Sequence, residues 1–227
     1  MEFKIKHKDY INFLKSIDLD GYRKKYRLYM SVEENLPRDI QIIDFIYEIY
    51  WKKRTLINFE EFIEKVTNAK IDNLKNYNRK RNGYDVLSDS VFPLFLKGWV
   101  ARQYRTWVSI ITQIQLGYLY EEQFPEDKVL MDNFLDSKGI DIRVEGKNDY
   151  GVKKVSKRQD IHIPENEKDG VIPIKYWVPK IDDLKNPKKN NGEYRKGYLA
   201  FKQDGRLDFL ENGFIIFNKK VFSDVKK

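Results

Sequence analysis

The sequence predicts an α+β fold, a mixed α/β arrangement with a helical N-terminal lobe and a central mixed β-sheet. Up to about residue 125, apolar residues recur at helical spacing. Beyond that point, short β-branched or aromatic segments are bounded by Gly, Pro, Asn or Asp, which is the pattern of strands. No linker separates the two parts, so we expect one compact domain over residues 1–227. Within it, residues 1–90 form a mostly helical lobe and residues 91–227 a core with a β-rich C-terminal part.

The helical elements are predicted from capping signals and apolar periodicity. Shorter helices are expected near residues 10–17 and 37–49. Asn58 is suited to cap the next helix, with Glu61 three residues later as the capping-box partner. The longest helix is predicted from Leu94 to Glu122, with Gly98 and Gly117 as candidate break points.

A β-hairpin follows the long helix. In Gly139–Glu145, isoleucine and valine alternate with charged residues, as in a half-buried strand. Gly146–Asp149 supplies turn residues, and Tyr150–Arg158 forms the second strand. Further strands are predicted at residues 170–179, 197–201 and 213–217.

The register of this hairpin brings opposite charges together. If Glu145 pairs with Asp149, Asp141 lies opposite Lys153 on the neighbouring strand. A carboxylate beside an ammonium group can hold a divalent metal next to a phosphodiester, since the metal activates water and neutralises charge. The alternative is an ordinary cross-strand ion pair, which contributes a few tenths of a kcal/mol, on the order of 0.5.

The composition limits the chemistry that such a site can perform. The chain has 227 residues, a net charge of +8, no cysteine and two histidines. The positive charge favours an acidic partner such as nucleic acid. Disulfides, thiol nucleophiles and Cys- or His-rich zinc sites are excluded, so a bound metal is expected to be Mg²⁺ or Mn²⁺ on oxygen ligands. No apolar segment is long enough to cross a bilayer, and we expect a cytoplasmic protein.

Two basic segments, Lys75–Tyr84 and Lys180–Lys196, are interpreted as surface loops. Both are rich in residues that contact phosphates and base edges, although solvated loops of a Lys- and Asn-rich chain are the alternative. The candidate DNA-binding residues are Arg79, Lys80 and Arg81 in the first loop, Lys188, Lys189, Asn190, Asn191 and Arg195 in the second, and Lys157 and Arg158 after the hairpin.

The hairpin region resembles a known superfamily. Asp136-x4-Asp141 and Gly151-Val152-Lys153-Lys154 are similar to the core of PD-(D/E)XK nucleases, and in particular to type II restriction endonucleases, TaqI-like ones among them. The resemblance covers about residues 118–160. It implies a magnesium-dependent endonuclease, with Mn²⁺ as a substitute, that cuts a specific double-stranded DNA sequence as a homodimer. It also implies that Asp141 is a metal ligand and Lys153 the catalytic lysine, while the C-terminal part recognises DNA.

The chain departs from the superfamily pattern at one position. The residue two before Lys153 is normally acidic, but here it is Gly151, and if Lys154 is the catalytic lysine that position is Val152. The second metal ligand must therefore come from another part of the chain. The candidates are Asp136, Glu121 and Glu122.

Two other functions remain open from the sequence. One is a non-catalytic nucleic-acid-binding protein on the same fold, which Gly151 suggests. The other is a basic scaffold protein unrelated to nucleases. A DNA cleavage assay distinguishes the non-catalytic protein from a nuclease. A DNA-binding assay distinguishes the scaffold protein from both.

Overall fold

The computed structural model forms two compact units, each with its own core. One unit is Asp18–Ile111, and the other combines Met1–Ile17 with Thr112–Lys227. The structure describes residues 5–27, 29, 36–82, 86–162 and 170–223. The helices are α1 (His7–Ser16), α2 (Leu19–Tyr26), α3 (Ile43–Ile46), α4 (Phe59–Asn82), α5 (Val86–Gln123), α6 (Asn133–Asp136), α7 (Ile181–Lys185) and α8 (Lys196–Asp204). The strands are β1 (Val129–Leu130), β2 (Ile142–Val144), β3 (Asp149–Lys154), β4 (Val171–Tyr176), β5 (Leu207–Phe209) and β6 (Ile215–Phe217). Short 3-10 turns lie at Arg38–Ile40, Arg158–His162 and Lys219–Phe222, and a π-helical turn at Tyr47–Lys52.

The unit Asp18–Ile111 is helical, and aromatic residues fill its core. The side chain of Asn58 accepts a hydrogen bond from the Glu61 amide (2.9 Å), which confirms the predicted cap of α4. Immediately after the cap, the Phe59 ring packs on Trp107 with 5.2 Å between ring centroids. The buried Trp99 donates from Nε1 to a backbone carbonyl at 3.0 Å. The tryptophans of α5 are therefore core residues.

The helical lobe differs in extent from the expected residues 1–90. Its unit ends at Ile111, inside α5, and the N-terminal helix α1 belongs to the other unit. The longest predicted helix is confirmed, but it begins at Val86 and runs without a break to Gln123.

A four-stranded mixed sheet forms the centre of the other unit. Its order is β1-β2-β3-β4, in which β1, β2 and β3 pair antiparallel and β3 and β4 pair parallel. A separate two-stranded sheet joins β5 and β6. Together with the helices, these sheets confirm the predicted α+β class with a mixed sheet.

The hairpin register differs from the prediction by two residues. Arg143, and not Glu145, pairs with Asp149. The guanidinium binds both oxygens of Asp149, at 2.7 and 2.6 Å. Because side chains alternate with a period of two, this shift leaves every side chain on its predicted face. Asp141 is thus displaced to lie beside Gly151 instead of directly opposite Lys153.

A tight turn sets this register. The Lys147 amide donates to the Val144 carbonyl at 3.0 Å, and the Val144 amide donates to Asn148 at 2.8 Å. Gly146 has φ +73°, a backbone conformation that glycine adopts readily. The turn therefore contains the three residues 145–147, and Asn148 is the first residue after it.

The strand predicted at residues 197–201 is wrong, since this segment lies in α8. Gly205, with φ +66°, caps the helix in the left-handed conformation, and its amide donates to Phe201 at 3.1 Å. The aromatic content suggested a strand, but the capping glycine and a single buried face, with Phe201 inward, favour a helix. Strand β5, directly after this cap, was not predicted.

Neither basic segment is the open loop that was predicted. Residues 75–82 form the last two turns of α4, while residues 83 and 84 lie outside the described residues. The segment 180–196 contains α7 and then a tight hairpin-like turn with an isolated bridge between Lys188 and Tyr194. It connects β4 to a helix and not to a strand.

The helix α1 is attached to α5 through a hydrogen-bonded histidine. Gln115 exchanges two bonds of 2.9 Å with the backbone of Phe217, which fixes its amide orientation. Its remaining N–H then points at Nε2 of His7 (2.8 Å), and Nδ1 of His7 contacts Glu122 at 3.2 Å. Nε2 must therefore act as an acceptor, which only a neutral imidazole provides. Burial lowers the pKa of His7, and the nearby Glu122 carboxylate only partly opposes this.

We expect acid to weaken this attachment. The pKa of His7 is lower in the folded protein than its ordinary value of 6.5, so the unfolded chain binds the proton more readily. The free energy of unfolding should therefore fall as pH decreases below about 6.5. Thermal unfolding of the wild type and of His7→Gln, between pH 8 and pH 5, measures the effect. The variant should lose less stability over this range, and parallel curves would exclude this role for His7.

Among the helices of the described ranges, none is long and apolar enough to cross a membrane.

Candidate active site

The two faces of the central sheet have opposite character. Ile142, Val144, Tyr150 and Ile174 are buried on one face. The positions of the other face lie one residue along each strand from these apolar ones. It carries Arg143, Asp149, Gly151, Lys153 and Lys175 together with Val171 and Pro173, and we call it the polar face after its charged residues.

Asp141 lies just before β2 and is held by two hydrogen bonds to β3. Its amide donates to the Tyr150 carbonyl at 2.9 Å. Its carboxylate oxygen Oδ2 accepts from the Val152 amide at 2.6 Å. The side chain thus continues the hydrogen-bond ladder beyond the end of β2. The carboxylate is fixed next to the backbone between Gly151 and Lys153, and the residue is only 8% exposed.

Burial also changes the acidity of this carboxyl group. It raises the pKa of Asp141 to about 6, because a charged carboxylate is poorly solvated there. The hydrogen bond from Val152 lowers this pKa, whereas the negative charge of Asp136 raises it further. Asp136 and Asp141 are therefore close enough to repel each other when both are ionised. A cation between them would remove this repulsion.

Gly151 has no room for a side chain. A Cβ atom at this position would lie 2.8 Å from the carbonyl oxygen of Gly139 and 3.2 Å from Cγ1 of Val171. The Gly139 amide closes a turn with the carbonyl of Asp136 at 2.9 Å. The segment that carries Asp136 therefore crosses directly over Gly151. This crossing explains why the acidic residue of the superfamily pattern is absent at position 151, and it brings the Asp136 carboxylate toward Asp141.

Filling this space should destabilise the protein. We expect Gly151→Ala to cost about 1–3 kcal/mol, because either the Gly139 backbone or β3 must move. Chemical denaturation of the variant measures this loss. Lys154→Ala, on the same strand and exposed, serves as the control and should change stability by less than about 0.5 kcal/mol. Equal stability of Gly151→Ala and wild type would show that the segment around Gly139 can move away at no cost in free energy.

Lys153 and Lys154 point to opposite faces of β3, and both are exposed. Lys153 pairs with Lys175 of β4 on the polar face. Lys154 pairs with Tyr176, whose ring packs on Phe217 at 5.3 Å on the opposite face. Of the two neighbouring lysines, Lys153 is therefore the one that shares the face of Gly151.

Lys175 was not among the site residues predicted from the sequence. This lysine is only 7% exposed, which is unusual for a charged side chain. A signal was present, since Lys175 is a single charged residue within the apolar run 171–178. Its position in register with Lys153 adds positive charge to the polar face.

The two glutamates at the end of α5 lie in a different environment. Both Glu121 and Glu122 border a pocket with Lys6, and Glu122 contacts His7. Across the described ranges, no group of three or more His, Asp or Glu side chains is arranged to hold one metal ion. The structure thus brings only Asp136, of the three predicted second ligands, toward Asp141.

The predicted DNA-binding residues occupy three separate places. Arg79, Lys80 and Arg81 form the last turn of α4 in the helical unit. After β3, Lys157 is exposed and Arg158 donates to Gln203 at 3.0 Å.

In the segment 186–195, several of these residues bind within the protein. Arg195 donates to the Asn186 carbonyl at 2.8 Å and lies 3.7 Å from Asp183. Lys189 pairs with Glu193 at 3.0 Å, and Asn191 accepts from the Glu193 amide at 3.2 Å. Arg195 therefore stabilises the turn, whereas Lys188 at its base and Asn190 near its tip are exposed.

Comparisons with known proteins show the family of this chain. The model of the family described as TaqI restriction endonuclease matches residues 7–227. The type II restriction enzyme TaqI of Thermus aquaticus is 29% identical over 230 residues, covering 94% of this chain and 84% of the relative. The type II restriction enzyme TthHB8I of Thermus thermophilus is 26% identical over 228 residues, covering 95% and 84%. No solved structure matches the chain.

The class of protein is thus a site-specific restriction endonuclease, as the hairpin resemblance predicted. Within this class, the chain belongs to the TaqI restriction endonuclease family.

Proposed function

We propose that this protein hydrolyses phosphodiester bonds in a specific double-stranded DNA sequence, using Mg²⁺ on the polar face of the central sheet. The observation that carries the proposal is the Asp141 carboxylate, which is buried, fixed by Val152 and close to Asp136. The names of the two relatives, both type II restriction enzymes, support the same reaction class.

The residues of the site suit a hard divalent cation. Asp141 and Asp136 supply carboxylate oxygens, which Mg²⁺ and Mn²⁺ prefer. The raised pKa of Asp141 to about 6 reflects uncompensated negative charge in a buried place, which a cation would relieve. When bound there, the metal would lower the pKa of a water molecule and neutralise charge on the scissile phosphate.

The protein side chains perform the remaining steps. Asp141 and Asp136 would hold the metal, and the Val152 amide keeps the Asp141 carboxylate in one orientation. Lys153 orients the attacking water and stabilises the negative charge on the non-bridging oxygens of the pentacoordinate transition state. Lys175, on the neighbouring strand, adds positive charge to the same face. The exposed Lys157 lies three residues beyond β3 and binds the DNA backbone.

The assembly and location follow from the substrate. A symmetric recognition sequence is cut on both strands most simply by a two-fold homodimer, which we propose here. A restriction endonuclease acts where DNA is present, and we place it in the cytoplasm.

Digestion of a large mapped DNA tests the proposal. Purified protein should give discrete bands with Mg²⁺ or Mn²⁺ and none with EDTA. Binding without cutting under all metals would support the non-catalytic alternative instead. Absence of both binding and cutting would support the scaffold alternative.

A further inference from the structure

Two stacked tyrosines, each with a lysine beside it, lie at the surface formed by the turn 187–195 and α8. Tyr194 and Tyr198 stack nearly parallel, with 5.4 Å between ring centroids and 15° between planes. Nζ of Lys188 lies 5.4 Å from the centre of the Tyr194 ring, and Nζ of Lys202 lies 5.9 Å from that of Tyr198. We call these four residues the aromatic–lysine strip. Tyr194 is 46% exposed, so packing in the core does not explain it.

The strip is built on a rigid support. Lys188 and Tyr194 form an isolated β-bridge, and the Arg195 amide donates to the Pro187 carbonyl at 2.8 Å. At the start of α8, a Cβ on Gly197 would overlap the Asp183 carboxylate of α7, so the two helices are in close contact. The backbone positions that carry the four side chains are thus held together before binding.

The strip adjoins the strands of the candidate active site. Near the end of α8, Gln203 accepts a hydrogen bond from Arg158, five residues after Lys153 on the chain. Just beyond α8, Arg206 donates to the backbone carbonyl of Lys175 at 3.3 Å. The region of α8 is therefore hydrogen-bonded to the turn that follows β3 and to the C-terminal part of β4.

We propose that the aromatic–lysine strip binds the sugar–phosphate backbone of duplex DNA next to the cleaved phosphodiester. The proposal rests on the proposed function and identifies a surface that holds the substrate of that site. One lysine lies beside each of the two tyrosines. The ammonium groups and the tyrosine hydroxyls suit consecutive phosphates, while the rings pack on deoxyribose. The net charge of +8 is complementary to a polyanion.

Of the four strip residues, only Lys188 is among the DNA-binding residues predicted from the sequence. Asn190 and Asn191 lie at the tip of the turn, beyond the strip at its base. Contacts between the strip and the DNA backbone would fix the position of the tip of the turn relative to a DNA groove. Loss of strip contacts should consequently weaken binding to any duplex, whatever its sequence.

Binding of fluorescent duplexes at several salt concentrations, without divalent metal, tests the strip. Lys202→Gln should weaken binding to cognate and scrambled duplexes alike, by about 3–10-fold. It should also make the log–log salt slope shallower by about 0.9, the value for one lost phosphate contact. Tyr194→Ala should weaken both duplexes, and Tyr194→Phe, which keeps the ring, should have a smaller effect. Lys8→Gln, an exposed lysine on α1, is the matched control and should leave the slope unchanged.

Failure of the strip proposal and failure of the proposed nuclease function give different results. Wild-type affinity and salt slope in both Lys202→Gln and Tyr194→Ala would overturn the proposal, even if the wild-type protein cuts DNA. Losses confined to the cognate duplex would also overturn it, because the strip would then read bases. A wild-type protein that neither binds nor cuts DNA would instead refute the proposed function. Thermal melts of each variant confirm that the fold is retained.

Discussion

Asp141→Asn is expected to abolish DNA cleavage, with a rate at least about 10³-fold lower than wild type. A drop of this size corresponds to about 4 kcal/mol of lost transition-state stabilisation, which is reasonable for removal of a metal ligand. The asparagine carbonyl can still accept the hydrogen bond from Val152, so the local structure should persist. Single-turnover cleavage of a cognate duplex with saturating Mg²⁺ measures the change.

The same substitution should make the protein more stable at neutral pH. The pKa of Asp141 is raised from 3.8 to about 6 in the folded protein, so folding favours the protonated carboxyl. The associated stability is present below about pH 4 and is lost as pH rises to about 6. Above this range, the buried carboxylate costs up to about 3 kcal/mol, which the neutral asparagine does not incur. Thermal unfolding at pH 8 without metal should therefore show a higher melting temperature for the variant.

The pair of effects distinguishes a functional carboxylate from a structural one. Asp208→Asn on β5, where the carboxyl group is exposed, should change neither cleavage nor melting temperature. Added Mg²⁺ should stabilise the wild type but not Asp141→Asn. Cleavage by the wild type should decline below about pH 6, as Asp141 becomes protonated. If Asp141→Asn cleaves at nearly the wild-type rate, this residue has no place in the site.

Lys153→Ala should reduce cleavage about 10²-fold or more, while Lys154→Ala should have little effect. The two lysines are adjacent and both exposed, but only Lys153 lies on the face of Gly151, the residue of β3 next to Asp141 in the hairpin. Removing a positive group that faces the scissile phosphate typically costs about 3 kcal/mol in the transition state. Single-turnover cleavage rates of the two variants are compared, with Lys154→Ala as the matched control for Lys153→Ala.

The comparison also tests which face of the sheet carries the catalytic lysine. Duplex affinity should change by a similar, small factor in the two variants, because each loses one positive charge. A large loss of rate in Lys154→Ala alone would place the catalytic lysine on the face of Tyr176. Equal losses would indicate that both lysines act only through general electrostatics.

Local sequence patterns were sufficient to predict the elements that form the site. Alternation in residues 139–145 and the turn residues after it predicted the hairpin of β2 and β3. The cap at Asn58 and the apolar periodicity of α5 were equally local and are confirmed. Because a strand alternates with period two, the sequence also determined which side chains share a face, even though the register was wrong by two residues.

Other features depend on contacts between distant parts of the chain and were beyond local patterns. The crossing of Gly139 over Gly151 decides that no acid can stand at position 151. The burial of Lys175 depends on what packs over β4, and the pocket near His7 depends on α1 joining α5. The helix α8 was mistaken for a strand because aromatic residues occur in both, and only packing of one face decides between them.

The sequence by itself thus determined the class of fold, the hairpin, and which residues of each strand share a face. The tertiary structure decided which second carboxylate reaches Asp141, because Asp136 arrives by a backbone crossing that no spacing rule encodes. It also decided the acidity of Asp141, since the pKa of a carboxyl depends on its burial and on neighbouring charge. These quantities arise from groups brought together only when the chain folds.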